Sequence, residues 1–400
     1  MQSILTSAYV QHQAAALLRS CLQLHDHGRC CPVSTLLAVL FTACCRLSSL
    51  FAAARRLRAA PCHETLRQAV HANVPDRDTL LRRLNHALAA GLPKALRRRP
   101  QPLAIDLTLI PYHGQHAHDP RELYRGQAKS GTTHFHAYAT AYLLLSGQRF
   151  TVALTAVWQG EKLEEVLRRL LRRCAGLGIR PKLLLVDRGF WTVGVIRYLQ
   201  AARYPFLMPV IARGKKADAA GGPSGSRVFW TWRRGGWGRY TLQETGGGKK
   251  ATVSICVHVR NRAGRRGRSG REHLVYACWR CPKRTPWAVS QLYRRRFGIE
   301  TSYRQLNEAR VKTCTRDAEV RLFLVGVALV LRNVWVWLHH EALASPRRGR
   351  RRYHLERLRF KDLLLMLLHE AEQLLGVDDE VWIERPLPKG VVPLAHQGLG

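Results

Sequence analysis

LAIDLTLI, the stretch from Leu103 to Ile110, is an almost wholly apolar run with a carboxylate at its centre, and Pro111 closes it. Eight residues of that kind, bounded by a proline, read as a buried strand. Asp106 is out of place there, because an unpaired carboxylate inside a strand costs roughly several kcal/mol unless something compensates it. Two further strands follow, Phe135 to Leu145 and Phe150 to Trp158, joined by a turn at Ser146 and Gly147. Three successive strands favour an antiparallel start.

A helix comes next. Glu161, Glu164 and Glu165 fall at its start and Arg168, Arg169, Arg172 and Arg173 towards its end, as the helix dipole prefers. Leu163, Val166, Leu167, Leu170, Leu171 and Cys174 form its inward face. Leu183 to Val186 is then a short apolar strand ended by Asp187, Arg188 and Gly189, and a helix from Val193 to Ala202 leads to a strand from Phe206 to Ile211. This order predicts a mixed α/β core, the later strands being entered through helical crossovers. Asp187 falls at the strand edge where open α/β sheets build their sites.

Upstream, residues 1–100 are helical in pattern. Ser34 is placed to cap a helix towards Cys45, Ser48 and Ser49 another through Arg56, and Asp76 or Asp78 a third carrying Leu80, Leu81, Leu84 and Leu88. Short helices with outer arginines suit a DNA reader of the helix-turn-helix kind and equally suit any small bundle. Arg97 to Pro100 reads as a linker.

Between residues 213 and 285, Gly- and Ser-rich turns separate the β-rich runs Val228 to Trp232, Arg239 to Leu242, Ala251 to Val259 and His273 to Trp279. They read as an antiparallel insertion, with Trp230, Trp232 and Trp237 and six arginines between Arg260 and Arg271. The core resumes at residues 286–345, where Glu319 to Leu343 reads as a long apolar helix, and is followed by a basic linker, Arg347 to Arg352, an amphipathic helix from Leu363 to Leu375, and a tail beyond Pro386 with little to bury (residues 346–400).

The resumed core opens with LYRRRFGIETSYRQL, Leu292 to Leu306. On one helix, Leu292, Ile299 and Leu306 form an apolar stripe, and beside it runs a polar one of Tyr293, Arg296, Glu300, Tyr303 or Arg304, and Asn307. A single carboxylate among phosphate-capable donors suits a helix that holds a metal ion and grips a nucleic-acid backbone. If the strands of Asp106 and Asp187 are neighbours, the two carboxylates can converge on divalent ions and Glu300 can complete the set. Hard oxygen ligands select Mg²⁺ or Mn²⁺ over zinc, and two such ions about 4 Å apart stabilise an in-line displacement at phosphorus. The competing reading makes Asp106 a turn cap and Asp187 a helix cap.

Charge points to the same class of partner. A formal charge of +38 and a pI near 11.0 exceed what solubility requires, and a polyanion is the natural counterpart. With 46% apolar residues over 400 positions the chain can bury a large interior in two or three units. The eleven cysteines show neither a disulfide framework nor paired zinc ligands, and Cys278 and Cys281 read as strand-end thiols of a reducing cytosol. Residues 1–20 lack the apolar core of a secretory signal. The apolar runs Leu36 to Cys45 and Leu322 to Leu331 stop at Arg46 and Arg332, short of the roughly 20 residues a bilayer demands. No membrane role is therefore expected, and the expected location is the bacterial cytoplasm, at the nucleoid.

VDRGF (Val186 to Phe190), IDLT (Ile105 to Thr108) and the series Tyr293, Arg296, Glu300, spaced Y-x2-R-x3-E, together resemble the DDE transposases of the insertion-sequence four family, whose core is ribonuclease H-like. The resemblance runs from about Asp106 to Arg310. It implies that Asp106, Asp187 and Glu300 hold two Mg²⁺ or Mn²⁺ ions, and that Tyr293 and Arg296 contact the element's end. Where the family pattern continues with a Lys, this chain has Asn307, so that phosphate contact is either lost or transferred to Arg304, Arg310 or Lys312. The family also holds a flipped base on a tryptophan; Trp279 and Trp287 are candidates that no motif separates. The function expected is cut-and-paste transposition. The chain would hydrolyse phosphodiesters at terminal inverted repeats and join the freed 3′-hydroxyl to target DNA, as at least a dimer. A nuclease without strand transfer, and a decayed or domesticated DNA-binding copy, are the alternatives.

Overall fold

The computed structural model describes residues 4–145, 149–217, 221–246, 248–265, 268–282, 284–347 and 350–378. Among them, β1 (Gln101–Pro111) is the centre of a nine-stranded sheet. On one side it pairs antiparallel with β3 (Thr132–Leu144), whose far edge carries β2 (Tyr124–Lys129) and β4 (Arg149–Val157). On the other it pairs parallel with β5 (Pro181–Val186), which pairs parallel with β6 (Phe206–Pro209). The parallel strands are entered through α6 (Leu163–Gly176) and α7 (Val193–Ala201), as βαβ geometry requires. The order β4-β3-β1-β5-β6 is a mixed α/β core that agrees at a coarse level with a ribonuclease H-like fold.

The β-rich segment is not a separate module. Its strands β7 (Gly236–Gln243), β8 (Lys250–Arg265) and β9 (Arg268–Trp279) continue the sheet, because β9 takes up the open edge of β6 with Phe206 opposite Trp279. An unpaired edge of β6 would expose backbone donors and acceptors, and this pairing removes it. The run Val228 to Trp232, expected as a strand, lies instead in a 3₁₀ segment, Gly225–Thr231. Gly225 takes a positive φ of 61°, and the buried Ser226 hydroxyl donates to the Ile211 carbonyl at 2.8 Å and accepts from the Arg213 N–H at 2.8 Å, which fixes a turn.

The flanking helices share one interior. α1 (Ser7–Leu22), α2 (Val33–Arg46), α3 (Leu50–Ala54), α4 (His63–Asn73) and α5 (Arg77–Ala90) pack with α10 (Ala318–Leu338) and α11 (Phe360–Leu375) around residues such as Leu40, Leu84, Phe323 and Leu367. Ser49 and Asp76 cap α3 and α5 as expected, whereas α2 starts at Val33 with Pro32 before it, so Ser34 is no cap. The helical layer meets the sheet at β4. Asn85 accepts from the Leu154 N–H at 2.8 Å and donates to its carbonyl at 2.9 Å; Asn333 does the same to Thr151 at 3.0 and 2.7 Å. Two side-chain amides thus replace the missing neighbour of β4.

The long apolar helix expected from Glu319 to Leu343 is present, and the apolar run ending at Arg332 is part of it. By length and composition Ala318–Leu343 could cross a membrane, yet its apolar 18-residue stretch is 94% buried inside the protein. Arg332 continues the span because its guanidinium is satisfied internally, donating to the Arg149 carbonyl at 2.8 Å and to Gln305 Oε1 at 3.2 Å. The basic segment expected as a linker forms a short hairpin, β10 (Ser345–Arg347) with β11 (Arg350–Arg352). The tail beyond Pro386 lies outside the described residues.

Leu292 to Leu306 is not one helix. It divides into α8 (Pro286–Arg294), a 3₁₀ turn (Arg295–Phe297) and α9 (Gly298–Ala309). Three residues at 3.0 per turn, in place of 3.6, advance the helix by about 60° more than an α-helix would. That extra rotation splits the predicted polar stripe. Tyr293 and Arg296 turn into the protein, while Glu300, Arg304 and Asn307 face solvent. The apolar stripe holds at Ile299 and Leu306, which are fully buried, and Leu292 is half-buried.

Candidate active site

In the parallel ladder Ile105 is opposite Val186, so the next residue of each strand, Asp106 and Asp187, emerges at the same level. The condition for convergence, neighbouring strands, is met. Asp106 is buried at 9% exposure, and its pKa is pushed up to about 6, chiefly by burial and also by Asp187, against the opposing pull of Arg296. Asp187 stands at the mouth with its side chain 36% exposed, and its Oδ2 accepts from the Gly189 N–H at 3.4 Å.

One guanidinium lies between them. Arg296 Nη2 is 3.1 Å from Asp106 Oδ2 and 2.8 Å from Asp187 Oδ1. Burial disfavours the Arg296 charge, but the carboxylates, Asp106 foremost, more than offset it and raise the pKa above its ordinary value. Asp106 Oδ1 also accepts from the Leu107 N–H at 2.9 Å.

Two tyrosines fix the α8–α9 segment over the sheet. The Tyr293 hydroxyl donates to the Val186 carbonyl at 3.2 Å, one residue before Asp187, and its ring lies 5.1 Å from that of Tyr276. Burial, foremost, drives the Tyr293 pKa above its ordinary value. The Tyr303 hydroxyl is 2.7 Å from Thr140 Oγ1, and Thr140 is the register partner of Asp106 on β3. Thr140 was not singled out in the sequence. Its only signal there is a hydroxyl within the apolar run of β3, where Thr140 and Tyr142 are both fully buried.

The other expected residues lie elsewhere. Glu300 is exposed in the first turn of α9, and among the described residues no group of three or more His, Cys, Asp or Glu is gathered to hold a metal ion. Arg304 is exposed on α9. Arg310 lies by a small cavity with Ile110, His136, Tyr138 and Arg321, four residues further along β1 than Asp106. Lys312 is exposed beside a groove between α3, α4 and Thr313, its backbone N–H donating to the Ser48 carbonyl at 2.9 Å. Trp279 is half-buried, stacked 6.4 Å from Phe206, and Trp287 is 61% exposed. A larger cavity, about 1050 Å³, lies between α6, α7 and the β7–β8 hairpin, and none of these residues lines it. Cys278 and Cys281 are free thiols, both raised by burial.

The donor chemistry of the aspartate pair suits a divalent cation. Two hard oxygen donors already converge on one positive charge, the Arg296 nitrogen, in a place where a carboxylate alone would be costly. Asp106 and Asp187 therefore fit as two ligands, and Glu300 does not stand with them.

Comparison with known proteins agrees with this architecture. No curated protein sequence matches the chain. Among solved structures it is similar to one titled "Cryo-EM structure of piggyBac transposase synaptic complex with hairpin DNA (SNHP)", with a TM-score of 0.52 and 10% identity over 94% of this chain and 81% of that one. At that identity the likeness concerns the fold. A family model described as "Transposase DDE domain" matches residues 97–331, more than half of the chain, and encloses β1, β5 and the α8–α9 segment. The chain belongs to the transposase DDE domain family.

Proposed function

We propose that the chain is a DNA transposase that cleaves phosphodiesters at the ends of a mobile element and joins the freed 3′-hydroxyl to target DNA by cut-and-paste. The observation that carries this reading is the convergence of Asp106 and Asp187 from neighbouring parallel strands onto one cationic position. Asp106 and Asp187 would hold Mg²⁺ or Mn²⁺; the family resemblance adds Glu300 as a third ligand of a pair of ions, although here it stands exposed on α9, outside the pair. Bound there, the ions would supply Lewis-acid stabilisation of the attacking and leaving oxygens. The protein's own part is to hold the two carboxylates at one level on a rigid sheet, to seat α8 on the Val186 carbonyl through Tyr293, and to keep the site's floor dry.

The Y-x2-R-x3-E series supports placement in the insertion-sequence four group. The charge of +38 supports a DNA partner, held by salt-sensitive backbone contacts; the exposed Arg304 and Lys312 are free to make them, whereas Tyr293, Arg296 and Arg310, which the resemblance also offers, are turned into the protein here. Two ends would be held by at least a dimer; the similar structure is titled a synaptic complex with hairpin DNA, and its likeness to this chain is one of fold. Labelled duplexes carrying the inverted repeats that flank the coding region provide the test. With Mg²⁺ the wild type should nick and join them, and Asp106→Asn, Asp187→Asn and Glu300→Gln should bind them without cutting. Cutting without joining would leave the nuclease reading. Wild-type cleavage by the aspartate variants would sink the site assignment.

A further inference from the structure

We propose that Arg296 is a charge latch: in the DNA-free protein its guanidinium occupies the cation position between Asp106 and Asp187, so that capture of a divalent cation is coupled to the arrival of DNA. This rests on the reading of the aspartate pair as the metal-holding site, and adds its regulation.

The contact is compact but incompletely satisfied. Both carboxylates are reached by a single nitrogen, Nη2, rather than by the two-pronged fork that makes arginine–carboxylate pairs strong. The Arg296 Nε is buried and has no hydrogen-bond partner among the described residues. Leaving a buried donor unpaired is costly, so a second anion offering the guanidinium two oxygens would be a better partner. A phosphodiester has that shape.

The backbone beneath the latch is held by Tyr293 and Tyr303, and the freedom lies in the side chain. Arg296 sits in the 3₁₀ turn between α8 and α9, and its long side chain can change rotamer without moving that turn. Asp106, by contrast, is fixed between two paired strands. The carboxylates are therefore the stationary partner and Arg296 the mobile one. A divalent cation and a guanidinium cannot share the position, because like charges at such distances in a buried site repel strongly. If DNA draws Arg296 onto phosphate, it vacates the carboxylates, and linkage requires that DNA and cation each strengthen the other's binding.

Mn²⁺ binding to the full-length protein, followed by the paramagnetic resonance of the free ion, tests this without reference to turnover. Wild-type affinity should rise about tenfold or more when a duplex is added. Arg296→Gln should bind Mn²⁺ about tenfold more tightly than wild type without DNA, and gain little from the duplex. Arg296→Lys, which keeps the charge, should behave as wild type. Equal Mn²⁺ affinity of the wild type with and without duplex would overturn the latch, and this arm needs no variant to fold. Asp187→Asn separates the two ideas. If it weakens Mn²⁺ binding while Arg296→Gln changes nothing, the site stands and the latch falls; if it leaves Mn²⁺ binding untouched, the metal-site reading fails and the latch with it.

Discussion

Ile105 of β1 lies directly opposite Val186 of β5 in a parallel ladder, and this single register relationship delivers Asp106 and Asp187 to the same level at the sheet's edge. A one-residue slip in either strand would turn one carboxylate to the opposite face. The register is protected because β1 is buried between β3 and β5, with Leu103, Ala104 and Ile105 fully enclosed.

Asp106 makes stability depend on pH in the direction opposite to a paired surface carboxylate. Its folded pKa, about 6, lies above the usual aspartate value of 3.8, so the native state binds the proton more tightly than the unfolded chain. The stabilisation from this group is complete below about pH 4 and falls as pH rises to about 6, by roughly 3 kcal/mol for a shift of about two units. Asp106→Asn removes the dependence. Denaturant unfolding of the two proteins across that interval should show the variant gaining on the wild type as pH rises; parallel curves would mean Asp106 is not desolvated. Cation-dependent activity should rise over the same interval, because only the carboxylate can ligate.

The Thr140–Tyr303 pair predicts non-additivity. Either Thr140→Val or Tyr303→Phe leaves a buried hydroxyl unpaired beside Asp106, at about 1–3 kcal/mol each. The double variant strands neither group and should cost clearly less than the sum. A double-mutant cycle read from urea midpoints decides it, and strict additivity would deny the hydrogen bond.

Asn85 and Asn333 should be among the most sensitive polar positions of the helical layer. Asn333→Leu would orphan the Thr151 N–H and carbonyl together with the Leu88 carbonyl, and a loss of about 3 kcal/mol or more is expected. Asn85→Leu, with three bonds of its own to Leu81 and Leu154, should behave alike. Thermal unfolding of both variants checks this; a shift within a degree of wild type would mean that water replaces the amides.

How much of this could be read from the chain follows from where free energy is local. Asp106 and Asp187 stood out because a carboxylate within or beside an apolar strand has a visible cost, and the structure does bring the two together. Arg296 was legible as a cation near the site but not as the group between the carboxylates. That placement depends on a 3₁₀ turn, which the heptad spacing of Leu292, Ile299 and Leu306 concealed. Asn85 and Asn333 carried no signal, since which strand becomes an edge is settled only when the sheet assembles. α1 and the edge strand β2 likewise lack strong periodicity and are held by their neighbours.

Asn307 offers the last test, on the solvent face of α9 beyond Glu300 and Arg304. It is exposed and occupies the position where the resembling family carries a Lys. Asn307→Lys adds one mobile positive charge to a face whose neighbour Arg304 is also exposed and basic, and it disturbs no buried contact. If that face lies along the DNA backbone, the variant should bind an end duplex more tightly and steepen the salt dependence by about one phosphate contact, a change of about 0.9 in the slope of log K against log salt. Fluorescence anisotropy across a salt series measures it. An unchanged slope would show that this face of α9 points away from DNA, and would leave Arg310 and Lys312, at the far end of β1 and beside α3, as the cations to examine next.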